Sequence, residues 1–296
     1  MERISSDTRK KVQYVITDML RQFDKICRDN DIEYFVCYGT ELGAVRHQGF
    51  IPWDDDADVG MMREDYEKFR KVFESQDTGN LYLASPDGDY EWHEKVYPRL
   101  YYLGTEMELG YWNDCFELSG DKFGKAINLD IFLFDYVDND PAKIEDTIKK
   151  ALKLKRRYMY YKFKSKIVKN RGARAFVMSL MKRLMYDFHH NDPDASRKQY
   201  EKYKQLVQHP KSDYIINFDD LEAVDIRASL LRYDQVFPTV PGMFEGFEVR
   251  MQRDYDAALT KLYGDYMTPP EGDAKDVHKT VRASFGDYKF PDSFED

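Results

Sequence analysis

The stretch YGTELGAVRHQGFIPWDDDADVGMMREDYEKF, residues 38–69, contains the most unusual local feature of the chain. Four carboxylates lie within five residues, at Asp54, Asp55, Asp56 and Asp58. Such crowding is electrostatically costly unless a cation relieves it. If residues 56–61 form a strand, Asp56 and Asp58 point to one face and Ala57 points to the core, because strand side chains alternate. Two carboxylates on one face can chelate a hard divalent cation.

The pattern indicates a magnesium and nucleotide site, because magnesium is usually held by one or two carboxylates together with substrate phosphates. A third carboxylate is expected on a neighbouring strand. Asp130 is the best candidate, since it is a lone charge in the apolar pattern AINLDIFLFDYV at residues 126–137, where a charge needs a partner or a metal. Asp135 is the reserve candidate. The alternative interpretations are an acidic turn or calcium loop at residues 54–58 and a buried salt bridge at Asp130.

The first half of the chain predicts an α/β (α+β) fold, a mixed β-sheet core with flanking helices. Apolar residues at helical spacing predict a helix from Asp7 to Asn30. The segment EYFVCY predicts a strand from Glu33 to Tyr38 that ends in a tight turn at Gly39 and Thr40, where N–H groups and a helix dipole can hold phosphate. Further elements are expected as follows: helices over 41–47 and 63–75, and strands over 56–61, near 81, over 96–103 and over 126–137.

The second half begins with a mostly basic helical pattern from Pro141 to Gln208. Residues 149–183 contain 14 Lys or Arg and no Asp or Glu, although the whole chain has a net charge of −9. Strands are then expected over 214–218 and 244–251, a helix over 254–263, and an extended tail beyond Pro269. We therefore divide the chain into a catalytic core at 1–140, a basic helical insertion at 141–212, and a segment at 213–296 that returns to the core.

The chain is expected to be cytoplasmic, at the inner face of the membrane. No stretch approaches the roughly 18 apolar residues that span a bilayer, and the N-terminus has no apolar signal core. The three cysteines, Cys27, Cys37 and Cys115, are an odd number at wide spacings. We interpret them as reduced packing residues, without a zinc site or a disulfide framework.

Residues 38–69 closely resemble the signature of the LicD family of phosphocholine transferases, which includes the fukutin-related proteins. The resemblance continues in AINLDIFLFD at 126–135 and in MFEGFEVRMQRDYDAALTKLYGDYMTPP at 243–270. It implies a nucleotidyltransferase-like fold and one or two Mg²⁺ ions, with Mn²⁺ as an alternative. It also implies transfer of phosphocholine or a related phospho-alcohol from a CDP-linked donor to a sugar hydroxyl of a cell-surface glycan or teichoic acid precursor, with release of CMP.

The resemblance also implies roles for individual residues. Asp56 and Asp58 match the metal pair, and Asp130 matches the third acidic residue, which could also accept the proton of the acceptor hydroxyl. Four residues would shape the donor pocket: Gly39, Thr40, Arg46 and Trp53. Trp53 is either a lid over the donor or a packing residue.

Two arginines, Arg46 and Arg99, are expected near phosphate oxygens, because a guanidinium binds them in a fork and stays charged. His47 is a further candidate base, although a lone histidine on a short helix is more often a packing residue.

Three positions depart from the family pattern and bear on donor or acceptor preference. Glu41 stands where the family usually has an aliphatic residue, and Leu133 and Gln252 replace common prolines.

Two other functions remain open from the residues alone. One is nucleotidyl transfer, with attack on the α-phosphate of a nucleoside triphosphate and release of pyrophosphate. The other is a non-catalytic glycan-binding protein that kept the fold.

The basic block at 149–183 admits three interpretations: a solvated helical face, a site for a polyanionic acceptor such as a lipid-linked glycan, or a surface that contacts an anionic membrane. Nucleic acid is not expected as a partner. The rest of the chain carries 31 Lys or Arg against 54 Asp or Glu, which would repel a phosphate backbone, and no recognition motif accompanies the charge.

Overall fold

The computed structural model describes residues 4–88, 96–109, 126–169, 172–218, 229–271 and 280–291. Two of the three cysteines, Cys27 and Cys37, are buried free thiols, as predicted, whereas Cys115 lies outside the described residues. The described elements, in chain order, are α1 (Ser6–Asp29), β1 (Phe35–Val36), α2 (Tyr38–His47), β2 (Asp58–Met62), α3 (Arg63–Glu74), β3 (Leu81–Ala84), β4 (Arg99–Tyr102), β5 (Glu106–Leu109), β6 (Ile127–Val137), α4 (Pro141–Lys162), α5 (Ala173–His189), α6 (Pro193–Val207), β7 (Tyr214–Asn217), β8 (Leu230–Arg232), α7 (Tyr233–Val236), β9 (Val240–Phe244), β10 (Phe247–Met251), α8 (Tyr255–Tyr263) and β11 (Thr280–Ser284).

A mixed sheet forms the centre of the fold and confirms the predicted class. Its main strand order is β1-β2-β6-β4-β3, and β7 pairs with the far end of β6 and carries β8. The strands β2 and β6 are parallel, and the other pairs in this sheet are antiparallel. The long strand β6 therefore lies in the middle, with β2 on one side and β4 and β7 end to end on the other.

The two faces of β6 contribute to different hydrophobic clusters. Ile127, Leu129, Ile131 and Leu133 join a cluster with the apolar face of α1, with α3 and with the β9–β10 hairpin. Phe132, Phe134 and Tyr136 join a second cluster with α4, α6 and β7. This alternation follows from the two-residue period of a strand. Asp130 therefore lies on the same face of β6 as Phe132, Phe134 and Tyr136.

Helix α1 covers one side of the sheet. Its start is fixed by Ser5, whose side-chain oxygen accepts a hydrogen bond of 3.1 Å from the Thr8 backbone N–H, an N-cap arrangement. The residues that line its inner face, Val12, Val15, Ile16, Met19 and Phe23, are fully buried. The amphipathic helix predicted over 7–30 is thus confirmed to within one residue at each end.

Several local predictions were wrong. The strand predicted over 33–38 shrinks to Phe35 and Val36, and α2 begins at Tyr38, so Gly39 and Thr40 lie in the first turn of a helix instead of in a preceding turn. Strand β2 begins at Asp58, and Asp56 precedes it. The single strand predicted over 244–251 is instead the hairpin of β9 and β10. The tail, which was expected to be extended, contains the strand β11, which pairs with β5.

The basic segment forms helices α4, α5 and α6, in agreement with the predicted helical pattern. Asp140 and Asp192 cap α4 and α6 through their side chains, and a proline occupies the first turn of each, a position where the missing N–H costs nothing. Within the described residues, no helix is long and apolar enough to cross a membrane.

Candidate active site

The predicted acidic residues of two strands lie side by side in the sheet. Asp58, the first residue of β2, is in register with Asp130 on the parallel strand β6. The backbone N–H of Asp130 donates a 3.0 Å hydrogen bond to the Ala57 carbonyl, which fixes this register. Residues in register on neighbouring strands point to the same face. Asp130 therefore lies on the strand next to Asp58, where a third carboxylate was expected.

Residues 56–58, which lead into β2, show the predicted alternation of side chains. Ala57 is 1% exposed and belongs to the cluster under α1, while Asp56 and Asp58 are partly exposed. Burial and the negative charges of Asp58, Asp54 and Asp56 raise the pKa of the Tyr263 phenol. The Tyr263 phenol therefore lies within electrostatic range of these three carboxylates, and 43% of its surface is exposed. We call Asp54, Asp56 and Asp58 the acidic face.

Asp54 and Tyr263 were not predicted as site residues. Burial, the Asp56 charge and hydrogen bonding to Asp56 raise the pKa of Asp54 well above its ordinary value. The signal that could have found Asp54 is the i, i+2, i+4 spacing of 54, 56 and 58.

The first turn of α2 holds this segment in place. A Cβ on Gly39 would lie 2.9 Å from Asp54 Oδ2, so glycine leaves the room that this carboxylate occupies. Buried Thr40 accepts a 2.8 Å hydrogen bond at Oγ1 from the Asp58 backbone N–H. The Gln13 side-chain amide donates a 2.7 Å hydrogen bond to the Asp54 carbonyl. These contacts give Gly39 and Thr40 a role in shaping the acidic face.

Arg46 lies in the last turn of α2. Burial lowers the pKa of its guanidinium, and the nearby Tyr263 phenol acts in the opposite direction. Its Nη1 donates a 2.6 Å hydrogen bond to the Tyr266 carbonyl and its Nε donates a 2.9 Å hydrogen bond to His47 Nε2. Burial and the Arg46 charge lower the pKa of His47. A neutral His47 that already accepts a hydrogen bond at Nε2 fits the packing interpretation better than that of a base.

Asp130 is engaged by several donors. Arg99, its register partner on β4, places Nε 2.6 Å from Oδ1 and donates from Nη2 to Oδ2 at 3.0 Å. Asn128 donates to Oδ1 at 2.7 Å and the Tyr97 hydroxyl donates to Oδ2 at 3.1 Å. The buried ion pair, weighed above as an alternative, is therefore present. Arg99, which is 5% exposed, neutralises Asp130 and is not directed to an open phosphate site.

The reserve residue Asp135 lies in a second buried ion pair. Arg63 donates from Nε and Nη2 to the two carboxylate oxygens of Asp135 at 2.7 and 2.6 Å. Trp53 packs against the small apolar cluster of Leu42, Ile51, Leu259 and Tyr266. The packing interpretation of Trp53 is thus supported by contacts.

Two of the three departures from the family pattern contact each other. Glu41 is 1% exposed, and Gln252 lies 211 positions away in sequence. The Gln252 backbone N–H donates to Glu41 Oε1 at 2.9 Å, and its side-chain amide donates to Oε2 at 2.6 Å. A proline at 252 would supply neither donor. The two departures therefore form one compensated buried pair, which joins the first turn of α2 to the segment between β10 and α8.

A double-mutant cycle tests this pairing. Glu41→Leu alone leaves two buried donors of Gln252 without an acceptor, and we expect it to lower the free energy of unfolding by about 2–4 kcal/mol. Gln252→Leu alone is expected to cost about 1–3 kcal/mol. The double variant should lose roughly 1–3 kcal/mol less than the sum. Urea unfolding at fixed pH measures all four proteins, and strict additivity would contradict the pairing.

Stability should also depend on pH through Glu41. Burial raises its pKa from 4.5 to about 8, against the lowering effect of the Gln252 hydrogen bonds. Between these two values the folded chain keeps a proton that the unfolded chain releases. The contribution of Glu41 to the free energy of unfolding is therefore complete below pH 4.5 and is lost as the pH rises through 8. The stability advantage of the native protein over Glu41→Gln should shrink by on the order of 1 kcal/mol per pH unit within this window. A difference that is flat with pH would show that Glu41 is ionised in the folded state.

The acidic face suits magnesium chemically, because carboxylate oxygens are its preferred protein ligands. Within the described ranges, no three His, Cys, Asp or Glu side chains are arranged to hold a metal ion together. Magnesium commonly uses only one or two carboxylates and completes its shell with substrate phosphates and water. Asp56 and Asp58 fit that pattern, whereas Asp130 is committed to Arg99.

Comparison with known proteins gives consistent matches. Residues 31–182 match the family model described as LicD/FKTN/FKRP, nucleotidyltransferase domain. The lipopolysaccharide cholinephosphotransferase LicD of Haemophilus influenzae is 30% identical over 275 residues, 92% of this chain and 96% of the relative. The chain belongs to the LicD family. Uncharacterized proteins of Rickettsia typhi and Rickettsia prowazekii match shorter segments, at 44% over 54 residues and 49% over 47 residues, each 18% of the relative.

Membership of the LicD family confirms two predictions from the sequence, namely the family and the enzyme class, a transferase. The family model spans the acidic face, Asp130 and Arg99. The individual roles of these residues, the metal and the donor stay predictions.

Proposed function

We propose that this LicD-family chain transfers phosphocholine from CDP-choline to a sugar hydroxyl of a lipopolysaccharide or related cell-surface glycan precursor, with release of CMP. The observation that carries the proposal is the near full-length match to a lipopolysaccharide cholinephosphotransferase. The acidic face supports it, since a crowded set of carboxylates beside a helix N-terminus suits a metal-bound diphosphate. A cytoplasmic location is part of this proposal.

In the proposed site, Asp56 and Asp58 hold one or two Mg²⁺ ions, or Mn²⁺. The bound metal supplies charge neutralisation of the donor diphosphate and of the leaving CMP. Thr40 holds the Asp58 backbone in place, and Gly39 leaves room for Asp54. We also assign Arg46 to the donor phosphates, because a guanidinium can bind phosphate oxygens in a fork; it would do so beside the hydrogen bonds that it donates to Tyr266 and His47.

Asp130 and Arg99 act together in this proposal. Their ion pair keeps a negative and a positive charge fixed beside Asp58 in the sheet. A fixed arrangement of charges costs no reorganisation when the phosphoryl group moves. The proton of the acceptor hydroxyl passes to Asp130 only if a bound substrate separates Asp130 from part of its present hydrogen-bond set.

The test is a product assay with a panel of donors. The purified protein is incubated with Mg²⁺ and CDP-choline, CDP-ethanolamine, CDP-glycerol or CDP-ribitol, with and without a glycan acceptor, and mass spectrometry follows CMP. Acceptor-dependent CMP release from CDP-choline, lost on chelation, is expected. If only another donor releases CMP, the transferred group is the phospho-alcohol of that donor and not phosphocholine. Parallel incubations contain nucleoside triphosphates in place of the CDP-alcohols. Pyrophosphate release from one of them, with no CMP from any donor, would overturn the proposal in favour of nucleotidyl transfer.

A further inference from the structure

Helix α5 presents an apolar face to solvent. Its only buried residue is Ser179, and large apolar side chains that would normally face a core are exposed. Phe188 is 80% exposed and Met181 is 54% exposed. Six exposed residues follow one stripe of the helix, because their spacing keeps them within less than half a turn of one another: Phe176, Val177, Leu180, Met181, Leu184 and Phe188. We call this stripe the α5 apolar stripe.

Contacts with α4 and its C-terminal extension hold α5 in this orientation. The Val168 backbone N–H donates a 2.9 Å hydrogen bond to Ser179 Oγ. The ring of His189 stacks on Tyr161 with centroids 3.7 Å apart and planes within 4°. The Lys182 ammonium lies 4.9 Å from the centre of the Tyr160 ring. The outward direction of the apolar stripe is therefore set by specific contacts on the opposite side of the helix.

A cationic groove reaches α5 at Met185, about one helical turn after Met181 of the α5 apolar stripe. It encloses about 360 Å³ between α4 and α5, and its lining includes Lys149, Lys153, Arg156 and Arg157. Among the described lining residues there is no Asp or Glu. Lys149 is paired with Glu145 at 3.1 Å, and the lining carries three further cations at Lys153, Arg156 and Arg157. An apolar stripe with adjacent cations is the pattern of a helix that lies in a membrane interface.

We propose that the α5 apolar stripe inserts into the headgroup layer of an anionic lipid bilayer, with the cationic groove on the lipid phosphates. Charge complementarity selects this occupant, because exposed Lys and Arg next to an apolar face are attracted to anionic lipid. A second copy of the chain would bring two cationic grooves together, which is unfavourable. The proposal goes beyond the proposed reaction and is independent of which phospho-alcohol is transferred.

The proposal is tested by co-sedimentation of the full chain with phosphatidylglycerol vesicles and with phosphatidylcholine vesicles, at low and high salt. We expect binding to phosphatidylglycerol that weakens with salt. The triple variant Leu180→Ser, Leu184→Ser, Phe188→Ser should bind at least about tenfold more weakly. The double variant Lys153→Gln, Arg157→Gln should bind phosphatidylglycerol vesicles roughly tenfold more weakly at low salt.

Matched controls separate the stripe from general effects. Met243→Ser removes a side chain that is 47% exposed on β9, close to the exposure of Leu184 at 45%, and should bind as the native protein does. Lys10→Gln, Lys71→Gln removes two exposed cations away from the groove and should have a smaller effect than the groove variant. The substituted side chains are exposed except Arg157, which is partly buried, so urea midpoints should not change in the apolar variants or the controls. The single variants Phe188→Ser and Lys153→Gln serve if a multiple variant misfolds.

Four results would overturn the proposal. They are no binding of the native protein to phosphatidylglycerol, equal binding to phosphatidylcholine, unchanged binding of the apolar variants, and a native dimer that becomes monomeric in the triple variant without any vesicle binding. The last result would assign the stripe to self-association. CMP release with a soluble acceptor, measured in parallel, should not change in these variants, so failure here is distinguishable from failure of the proposed reaction.

Discussion

Replacement of both Asp56 and Asp58 by asparagine is expected to lower the rate of CMP release by at least about 10³-fold. A metal ion at a transferring phosphoryl group contributes several kcal/mol, and each 1.36 kcal/mol corresponds to about a factor of ten. The two residues lie on the acidic face, Asp58 in register with Asp130. Asparagine keeps the shape of the side chain but removes the charge that holds the cation. Initial rates at saturating donor and Mg²⁺ measure the effect.

The same double variant should fold at least as stably as the native protein in the absence of metal. The carboxylates of the acidic face are crowded enough to raise the pKa of Asp54 through burial and neighbouring charge, and removing two negative charges relieves that repulsion. Asp77→Asn, Asp287→Asn makes the same change in net charge at exposed positions and should keep full activity. Retained activity in the Asp56, Asp58 variant would exclude these residues as the metal pair.

Arg63→Met should lower the free energy of unfolding by about 3–5 kcal/mol. The substitution leaves the carboxylate of Asp135, which is 5% exposed, buried without the bidentate partner that contacts it at 2.7 and 2.6 Å. Breaking one side of a buried ion pair is costly because the other charge stays desolvated. Urea unfolding measures the loss.

A surface pair of the same geometry provides the control. Arg232 contacts Asp234 through Nε and Nη2 at 2.9 and 2.8 Å, but both side chains are more than half exposed. Arg232→Met should leave the urea midpoint unchanged, since solvent screens exposed pairs. The folded fraction of Arg63→Met should retain its turnover number, because Asp135 is assigned a structural role. A selective loss of turnover with unchanged stability would instead return Asp135 to the site.

The alternation of residues 56–58 and the lone charge at 130 were sufficient to predict that Asp58 and Asp130 lie on neighbouring strands. Both signals are local, because the two-residue period of a strand determines which of its side chains share a face of the sheet. The identity of the Asp130 partner is not local. It depends on the antiparallel register that sets Arg99 opposite Asp130, and no pattern within either strand specifies that register.

Two further features show where the sequence was insufficient. Glu41 and Gln252 appeared as separate departures, and only the fold brings them together across 211 positions. The apolar residues of α5 would ordinarily predict a buried helix face, yet that face is exposed. Which face of a helix is covered depends on its neighbours, and here the segment that follows α4 contacts Ser179 through Val168.

Electron paramagnetic resonance of Mn²⁺ in the presence of CDP tests whether the acidic face binds the metal and the donor together. We expect the native protein to bind Mn²⁺ in a CDP-dependent manner and Mg²⁺ to compete. Binding should be abolished in Asp56→Asn, Asp58→Asn and retained in Asp77→Asn, Asp287→Asn. Binding that survives in the Asp56, Asp58 variant, or a native protein that binds no Mn²⁺ with CDP, would contradict the assignment of the acidic face as the site that carries the donor.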